Sequence, residues 1–508
     1  MSNLGTGSPP AHDAFERVRI ENLHPPAWHN PTPTERYDLV VIGAGPAGSV
    51  AATVAASSGA RVALIERAML GGGCLNSACI LSKSLIRTAR LYAEMRGAGM
   101  FGATPPPDIR VDFAAAIERV RRIRARVSRV DSAQRRRAEG IDVYFGEAHF
   151  TSTDAVSVDG ARLRFRKALV ATGARPDLPS VPGLAEAGYL TNENVFDLTE
   201  LPRRLLVIGG GPLGCELAQA FCRFGARTTI AQAMPLFLPG EERDAAQLLS
   251  ESFGRDGIEV WLNTAAVRVS AEGGEKRVEL VREGYVTTVA VDAILTGTGR
   301  LPNVERLNLD AAAVEFDAVA GIRTDDFLRT TNSNIYAAGD VCLEHRFTHT
   351  ADASARVAVH NALFDGRRRM SALTIPWCTY TDPEIAHVGL YVREARDRGI
   401  PVRTFTVPMH DVHRAITDSE EVGFAKVHVR ERTDRILGAT IVARDAGDMI
   451  NEITLALVAG IGLRTLARVI HAYPNKSVAI KKAADAYVAT LPRPKLRSRP
   501  GGARSRSR

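Results

Sequence analysis

YDLVVIGAGPAGSVAATVAASSGARVALIE, residues 37–66, decides the architecture. Its opening YDLVVIG holds a continuous apolar run, the pattern of a buried strand. Gly43-x-Gly45-x-x-Gly48 follows directly, then an alanine-rich helix expected over Ala47–Ser57, then a second strand, RVALIE, ending in Glu66. A strand, a glycine turn and a helix start bring backbone N–H groups close to a pyrophosphate at the positive end of the helix. Glu66 stands 18 residues past Gly48, where a carboxylate can accept hydrogen bonds from a ribose. The spacing predicts a dinucleotide-binding unit.

The pattern repeats in LLVIGGGPLGCELAQAFCRFGARTTIAQ, residues 205–232, with Gly209-x-Gly211-x-x-Gly214. Two such units imply two dinucleotides, or one dinucleotide and a degenerate copy. The same spacing of 18 lands on Gln232. An acid there would favour a free 2′-hydroxyl and NADH, and an arginine the 2′-phosphate of NADPH. Glutamine offers neither charge, so the choice stays open. Gly297-Thr298-Gly299 echoes Ala171-Thr172-Gly173, and small residues suit a chain passing close to a cofactor. NSNIYAAGDV reads as a strand that delivers Asp340, a good acceptor for sugar hydroxyls.

Between the repeats lies LGGGCLNSACILSK, residues 70–83. Cys74 and Cys79 stand five apart, and a helical pattern follows through Met95. In one regular helix, residues so spaced rise about 7.5 Å and point apart. A disulfide wants Cα atoms about 4.4–6.8 Å apart. If the two pair, Cys74 must therefore sit in a non-helical lead-in freed by the glycines, with Cys79 in the first turn. There the helix dipole favours a thiolate. Zinc would need four ligands, and neither a second cysteine pair nor a nearby histidine is offered.

A chain of 508 residues exceeds one core, and about three domains are expected. Six scattered cysteines do not make a secreted disulfide framework, so a reducing cytoplasm is expected. The first 35 residues lack an apolar signal core. The uncharged run Leu39–Ala56 has the length of a membrane span, but its glycines and proline belong to the nucleotide pattern. The net charge of +8 resides largely in residues 492–508, which hold seven Lys/Arg and no acid and read as a disordered tail. That tail is the sole feature suited to nucleic acid. Residues 1–36 are Pro-rich and polar and read as an extension, partly extended, with Trp28 as a candidate anchor. An amphipathic helix is expected over Phe113–Ala138, its arginines forming a solvated face. From Ser371 the composition changes, and strands followed by helices predict an α+β unit.

Five motifs together, GAGPAG, GGGCLNSACILSK, ATGARP, GGGPLGCE and YAAGDV, make the chain over residues 37–490 resemble the flavoprotein disulfide reductases, or pyridine nucleotide-disulfide oxidoreductases. The C-terminal HAYP makes it most similar to their mercuric-reductase-like branch. The resemblance implies an α/β fold with two Rossmann-like domains, for FAD (residues 37–187, with the redox disulfide) and NAD(P) (188–316). A central segment (317–370) would complete the FAD site, and an α+β dimerisation domain (371–491) would follow. It implies that Gly43, Gly45, Gly48 and Glu66 hold the ADP part of FAD, and Asp340 its ribityl chain, with Thr172, Gly173 and Gly299 close by. Gly209, Gly211, Gly214 and Gln232 would take NAD(P)H. Cys79 would face the flavin, Cys74 would meet substrate, and Lys83 with its carboxylate partner Glu216 would lie near the flavin's reactive nitrogen. No resident metal is implied.

The departures are informative. Disulfide and dihydrolipoamide reductases carry His-Pro-Thr-x-x-Glu in the C-terminal domain, reaching the partner subunit's site. Here the aligned run is Tyr473-Pro474-Asn475-Lys476-Ser477-Val478, so the base position is Tyr473 and the orienting position Val478. A phenol with a pKa near 10 is a poor general base at neutral pH. Mercuric reductases use tyrosine there, but their C-terminal cysteine pair is absent, as no Cys follows Cys378. SACIL stands where the family usually has VGCVP, with Ala78 for glycine and Leu81 for proline. The expected protein is a homodimeric flavoenzyme that passes electrons from NAD(P)H, by way of FAD and Cys74–Cys79, to a thiophilic small molecule or metal ion. A dihydrolipoamide-type disulfide reductase is the first alternative. A redox-sensing flavoprotein using the basic tail is the second.

Overall fold

Strand Tyr37–Ile42 lies inside a sheet built mainly from its parallel neighbours Val62–Glu66 and Ala161–Val170. Ile141–Phe145 extends the sheet beyond Val62–Glu66, and Ile335–Ala337 joins Ala161–Val170 in parallel. The strand Ala161–Val170 does two jobs. Its first half pairs antiparallel with Ala155–Val158, and its second half carries the parallel sheet. Alternation sorts the apolar run by face. Leu39, Val41, Val62 and Leu64 pack on one side, and Val40, Ile42, Ala63 and Ile65 on the other. Helix Pro46–Ser57 covers the first of these faces. Its alanines let helix Thr348–Leu363 approach closely, and Ala47, Ala51, Ala55, Ala351, Ala355 and Ala358 are all buried in one core.

The computed structural model describes residues 13–492, and the chain separates into two units at Asp382–Pro383. The basic run read as a disordered tail lies, from residue 493, outside the described residues.

The second repeat forms its own parallel sheet in the first unit, ordered Glu259–Trp261, Arg227–Ala231, Arg204–Ile208, Ala293–Thr296. An antiparallel meander, Thr264–Glu272, Glu275–Arg282 and Tyr285–Val291, is attached to it in sequence. The chain enters and leaves this region through one ribbon, in which Ala174–Pro176 runs antiparallel to Arg300–Pro302.

Two sequence expectations change here. Residues 14–23, read as part of a partly extended segment, form a helix, Ala14–Leu23, with Asp13 capping its start by accepting from Phe15 N at 2.9 Å. The expected helix over 113–138 is two helices, Phe113–Ser128 and Ala133–Ala138. Ser132 starts the second by accepting from Arg135 N, which ends continuity at the intervening turn. Its arginines are also not a uniformly solvated face. Arg124 is buried and pairs with Glu16 at 2.9 Å, and Arg121 pairs with Asp13 at 2.7 Å, both across to the N-terminal helix. Trp28 does anchor the segment that follows: its indole N–H donates to Val143 O at 3.1 Å, and its ring meets Phe145 edge-on.

In the second unit, Glu384–Gly389, Ile436–Ala443, Phe424–Arg430 and Val402–Pro408 pair antiparallel in that order. Helix Ala446–Val458 packs on the first two strands, and helix Val478–Ala489 on the last two. The whole is the mixed α/β architecture expected, with an α+β C-terminal unit. Among the described residues no helix is long and apolar enough to cross a membrane.

Candidate active site

The two glycine turns are built alike. Gly43 has φ +97°, and a Cβ there would stand 2.5 Å from Ala171 O. A Cβ on Gly48 would stand 1.7 Å from Gly43 O. In the second repeat, a Cβ on Gly209 would meet Gly297 O at 2.5 Å, and one on Gly214 would meet Gly209 O at 2.3 Å. The first and third glycines are thus required by the protein's own backbone. Gly45 and Gly211 caps are different: a Cβ on either would meet nothing nearer than 3.7 Å, so these faces are open to a ligand. Each precedes a helix with proline at its first turn, Pro46 and Pro212, where no backbone N–H bond is forfeited. The remaining free N–H groups suit a pyrophosphate.

The residues 18 past each last glycine also correspond. Glu66 Oε2 accepts from Ala44 N at 2.9 Å, and its Oε1 accepts from Ala68 N at 2.9 Å. Burial raises the Glu66 pKa, and these backbone donors oppose that. Gln232 Oε1 accepts from Gly210 N at 2.9 Å, in the place of Glu66. Its amide leaves the site neutral. We expect Gln232→Glu to turn kcat/KM toward NADH and against NADPH by about tenfold, the like-charge penalty being on the order of 1.4 kcal/mol. An unchanged NADH/NADPH ratio would remove Gln232 from the nicotinamide nucleotide site.

Gly43, Glu66, Thr172 and Asn303 line one cleft. Thr172 Oγ1 donates to Asn303 O at 2.7 Å, and Asn303 Nδ2 donates back to Thr172 O at 2.9 Å. Gly173, with φ +70°, accepts from Asn303 N. Gly299, with φ +134°, accepts from Asp177 N at 3.0 Å. Asp340 ends the Ile335–Ala337 strand turn and pairs with Arg300 at 2.6 Å. Arg300 was not singled out by the sequence reading.

Cys79 is the first residue of helix Cys79–Gly97, as expected. Cys74, expected in a non-helical lead-in, lies instead in a single helical turn, Gly72–Asn76. The break at Ser77–Ala78 turns the second helix relative to the first, so the two thiols meet although they do not share one helix. Gly71 and Gly72 make that possible with φ +88° and +56°. A Cβ on Gly72 would lie 2.6 Å from Gly45 Cα, which seats the Cys74 turn directly on the first nucleotide loop.

The thiols are free and close enough to shift each other's titration in opposite directions. Cys74 beside it, with the Thr348 hydroxyl and the Lys83 charge, pulls the Cys79 pKa down to about 6 against burial and Glu216. The neighbouring Cys79 and burial push the Cys74 thiol up. Thr348 Oγ1 stands 3.3 Å from Cys79 Sγ, a partner 269 residues away that carries no sequence signal. Lys83 Nζ meets Glu216 Oε2 at 2.7 Å, and Glu216, only 4 % exposed, also accepts from Tyr380 N at 2.9 Å. The Tyr380 ring lies under the ammonium at 4.6 Å.

Tyr473 belongs to the second unit, whereas the other candidates belong to the first. It is 72 % exposed, and its hydroxyl meets His413 Nδ1 at 2.9 Å. His471 points to Glu452, at 2.9 Å. Val478 offers no carboxylate, and its N–H is taken by Asn475 Oδ1.

Residues 37–362 match the sequence model of a family described as pyridine nucleotide-disulphide oxidoreductase, and residues 375–484 match that family's dimerisation domain. Among curated proteins, a mercuric reductase of Staphylococcus aureus is 32 % identical over 448 residues, 88 % of this chain and 82 % of that one. A dihydrolipoyl dehydrogenase of Chlamydia muridarum is 33 % identical over 450 residues, covering 87 % and 94 %. Among solved structures, the HOCl-induced flavoprotein disulfide reductase RclA of Escherichia coli superposes with a TM-score of 0.79 at 30 % identity, covering 90 % of this chain and all of that one.

Proposed function

The chain belongs to the pyridine nucleotide-disulphide oxidoreductases, FAD-dependent enzymes that use NAD(P)H, and from that premise we propose that it delivers electrons through Cys74 and Cys79 to a thiophilic acceptor such as Hg(II). The observation that carries this reading is the dithiol itself, two free cysteines on either side of the break between two helices, with Cys79 at the start of the helix that carries Lys83 and its partner Glu216.

The residues fit FAD. The open Gly45 face, the helix start at Pro46, the two-oxygen anchoring of Glu66 and the acceptor Asp340 are the features an ADP group and a sugar chain need. FAD, when bound, supplies the two-electron link between nicotinamide and disulfide. The protein's own groups do the rest. Lys83 presents a cation, kept in place by buried Glu216, where negative charge develops. Of the two sulfurs, Cys79 is the one favoured as thiolate and Cys74 the one favoured as thiol.

The proton on Cys74 decides among acceptors. A disulfide substrate needs a base to remove it and an acid to return it. Tyr473 puts a phenol where an imidazole would serve, and Val478 leaves the orienting position empty of charge. A soft metal ion binds thiolates strongly enough to displace the proton on its own. Two thiolates then hold the ion while it gains the two electrons that NAD(P)H loses. The second reading is a dihydrolipoamide-type reductase, supported by the similar identity to a dihydrolipoyl dehydrogenase. A redox-sensing role for the tail has no such support.

We further read the enzyme as a cytoplasmic homodimer. Leu455, Val458, Ile470 and Tyr473 of the second unit are large and exposed, in the part that matches the dimerisation domain.

The deciding experiment is NADH and NADPH oxidation by the flavoprotein with thiol-complexed Hg(II), and with lipoamide in parallel. The expected outcome is Hg(II)-dependent turnover well above lipoamide turnover. Lipoamide turnover without a response to Hg(II) would establish the second reading instead.

A further inference from the structure

Helix Ala14–Leu23 precedes the residues that match the family, yet it reaches the turn that carries Cys74. Leu23 is fully buried, and its carbonyl accepts from Leu70 N at 3.3 Å. Arg19 Nη1 donates to Asn76 Oδ1 at 2.9 Å. The Asn76 amide then faces the loop, with Nδ2 donating to Leu70 O at 2.9 Å and Gly72 O at 3.0 Å. These bonds close the turn around Cys74. The Asn76 carbonyl also accepts from Arg124 Nη1 at 3.3 Å. Glu16 holds both arginines, and the cluster is nearly sealed from water, with side-chain exposures of 13 % for Arg19, 14 % for Glu16 and 6 % for Arg124.

We propose that Arg19 is a positioning residue for Cys74, fixing the Gly72–Asn76 turn through Asn76 and so holding the two thiols in contact. The inference rests on the dithiol reading above and adds a component that the family segment lacks. A guanidinium on Oδ1 dictates which end of the Asn76 amide faces the loop. Without it the amide can rotate, and the two loop carbonyls lose their donor. The usual glycine and proline of the redox motif are Ala78 and Leu81 here, so this external brace acts on a turn with altered internal constraints.

The test is the pH dependence of the Cys79 thiolate in the dithiol form of the FAD-bound protein, read from the long-wavelength absorbance of a thiolate lying against oxidised flavin. In the parent that absorbance should rise through a midpoint below the ordinary thiol range. Arg19→Ala separates the thiols part of the time, so Cys79 loses some of the influence of Cys74. We expect the absorbance at pH 6 to fall about threefold while its high-pH limit is kept. Lys83, Glu216 and Asp131, the charged groups that act on the thiols, stay in place. Asp13→Ala is the control. It removes the cap and the Arg121 pair of the same helix without touching Asn76, and should lower stability with the profile unmoved. Should Arg19→Ala fold poorly, Arg19→Met keeps the aliphatic stem. Parent-like profiles in the Arg19 variants, or an equal shift in Asp13→Ala, would overturn the proposal. The readout needs no acceptor, so failure of the dithiol reading in the turnover assay is a separate result.

Discussion

Replacing Cys79 by serine is expected to leave FAD bound and to lower acceptor-dependent NAD(P)H oxidation by at least about a thousandfold, ~4 kcal/mol of barrier. The hydroxyl fills the same place at the start of helix Cys79–Gly97, beside Thr348. It cannot form or break the bond to Cys74, so no two-electron store remains. The measurement is steady-state turnover with each acceptor, alongside the flavin spectrum of the purified protein. Cys222→Ser is the matched comparison. That thiol is pushed up to about 11 by burial and donates to Asp256 O at 3.1 Å, away from the site. Its turnover should stay near the parent's. Full turnover in Cys79→Ser would sink the dithiol mechanism.

Gly48→Ala has the second large effect. The added methyl would sit 1.7 Å from Gly43 O, and both sides of that clash are backbone. Relief requires the helix Pro46–Ser57 to move off the strand, which also displaces the open face at Gly45. We expect a cost of about 3 kcal/mol or more, from an overpacked site that cannot relax through a rotamer. The protein should purify with little flavin and melt roughly 5–10 °C lower. Gly97→Ala, at the end of a helix with nothing within 4 Å of the new methyl, should be neutral or slightly stabilising. A yellow, fully stable Gly48→Ala protein would contradict the placement of the first nucleotide loop.

Local pattern and elementary spacing carried much of this. The strand Tyr37–Ile42, its helix and the strand Val62–Glu66 follow from a continuous apolar run, a glycine turn and a return run. Gln232 was found by counting from the repeat, and its amide does take the position that Glu66 takes in the first copy. What escaped the sequence were contacts between distant segments. Arg124 reads as solvated because helical periodicity speaks only of its own helix. Its burial comes from Glu16, 108 residues earlier, in a segment whose prolines and polar residues hid a ten-residue helix. Thr348 beside Cys79, Arg300 beside Asp340 and His413 beside Tyr473 were missed for the same reason. Cys74 was misplaced for a different one. Residues five apart point away from each other in one regular helix, but here one turn of helix precedes a break and a second helix.

The ribbon of Ala174–Pro176 against Arg300–Pro302 bears on the order in which the chain can fold during synthesis. The sheet of the second repeat lies wholly between those two strands in sequence, so it can close as soon as Ala293–Thr296 has emerged. The first sheet cannot. Ala161–Val170 waits for its parallel neighbour Ile335–Ala337, and Asp340 arrives just behind it. At roughly 5–20 residues per second, that interval is on the order of ten to thirty seconds. Through it the nascent chain carries an unpaired apolar strand edge, while the later-encoded nucleotide unit is already complete. FAD capture is therefore a late event in the life of the polypeptide, and the nascent edge at Ala168–Val170 is where a chaperone would be needed.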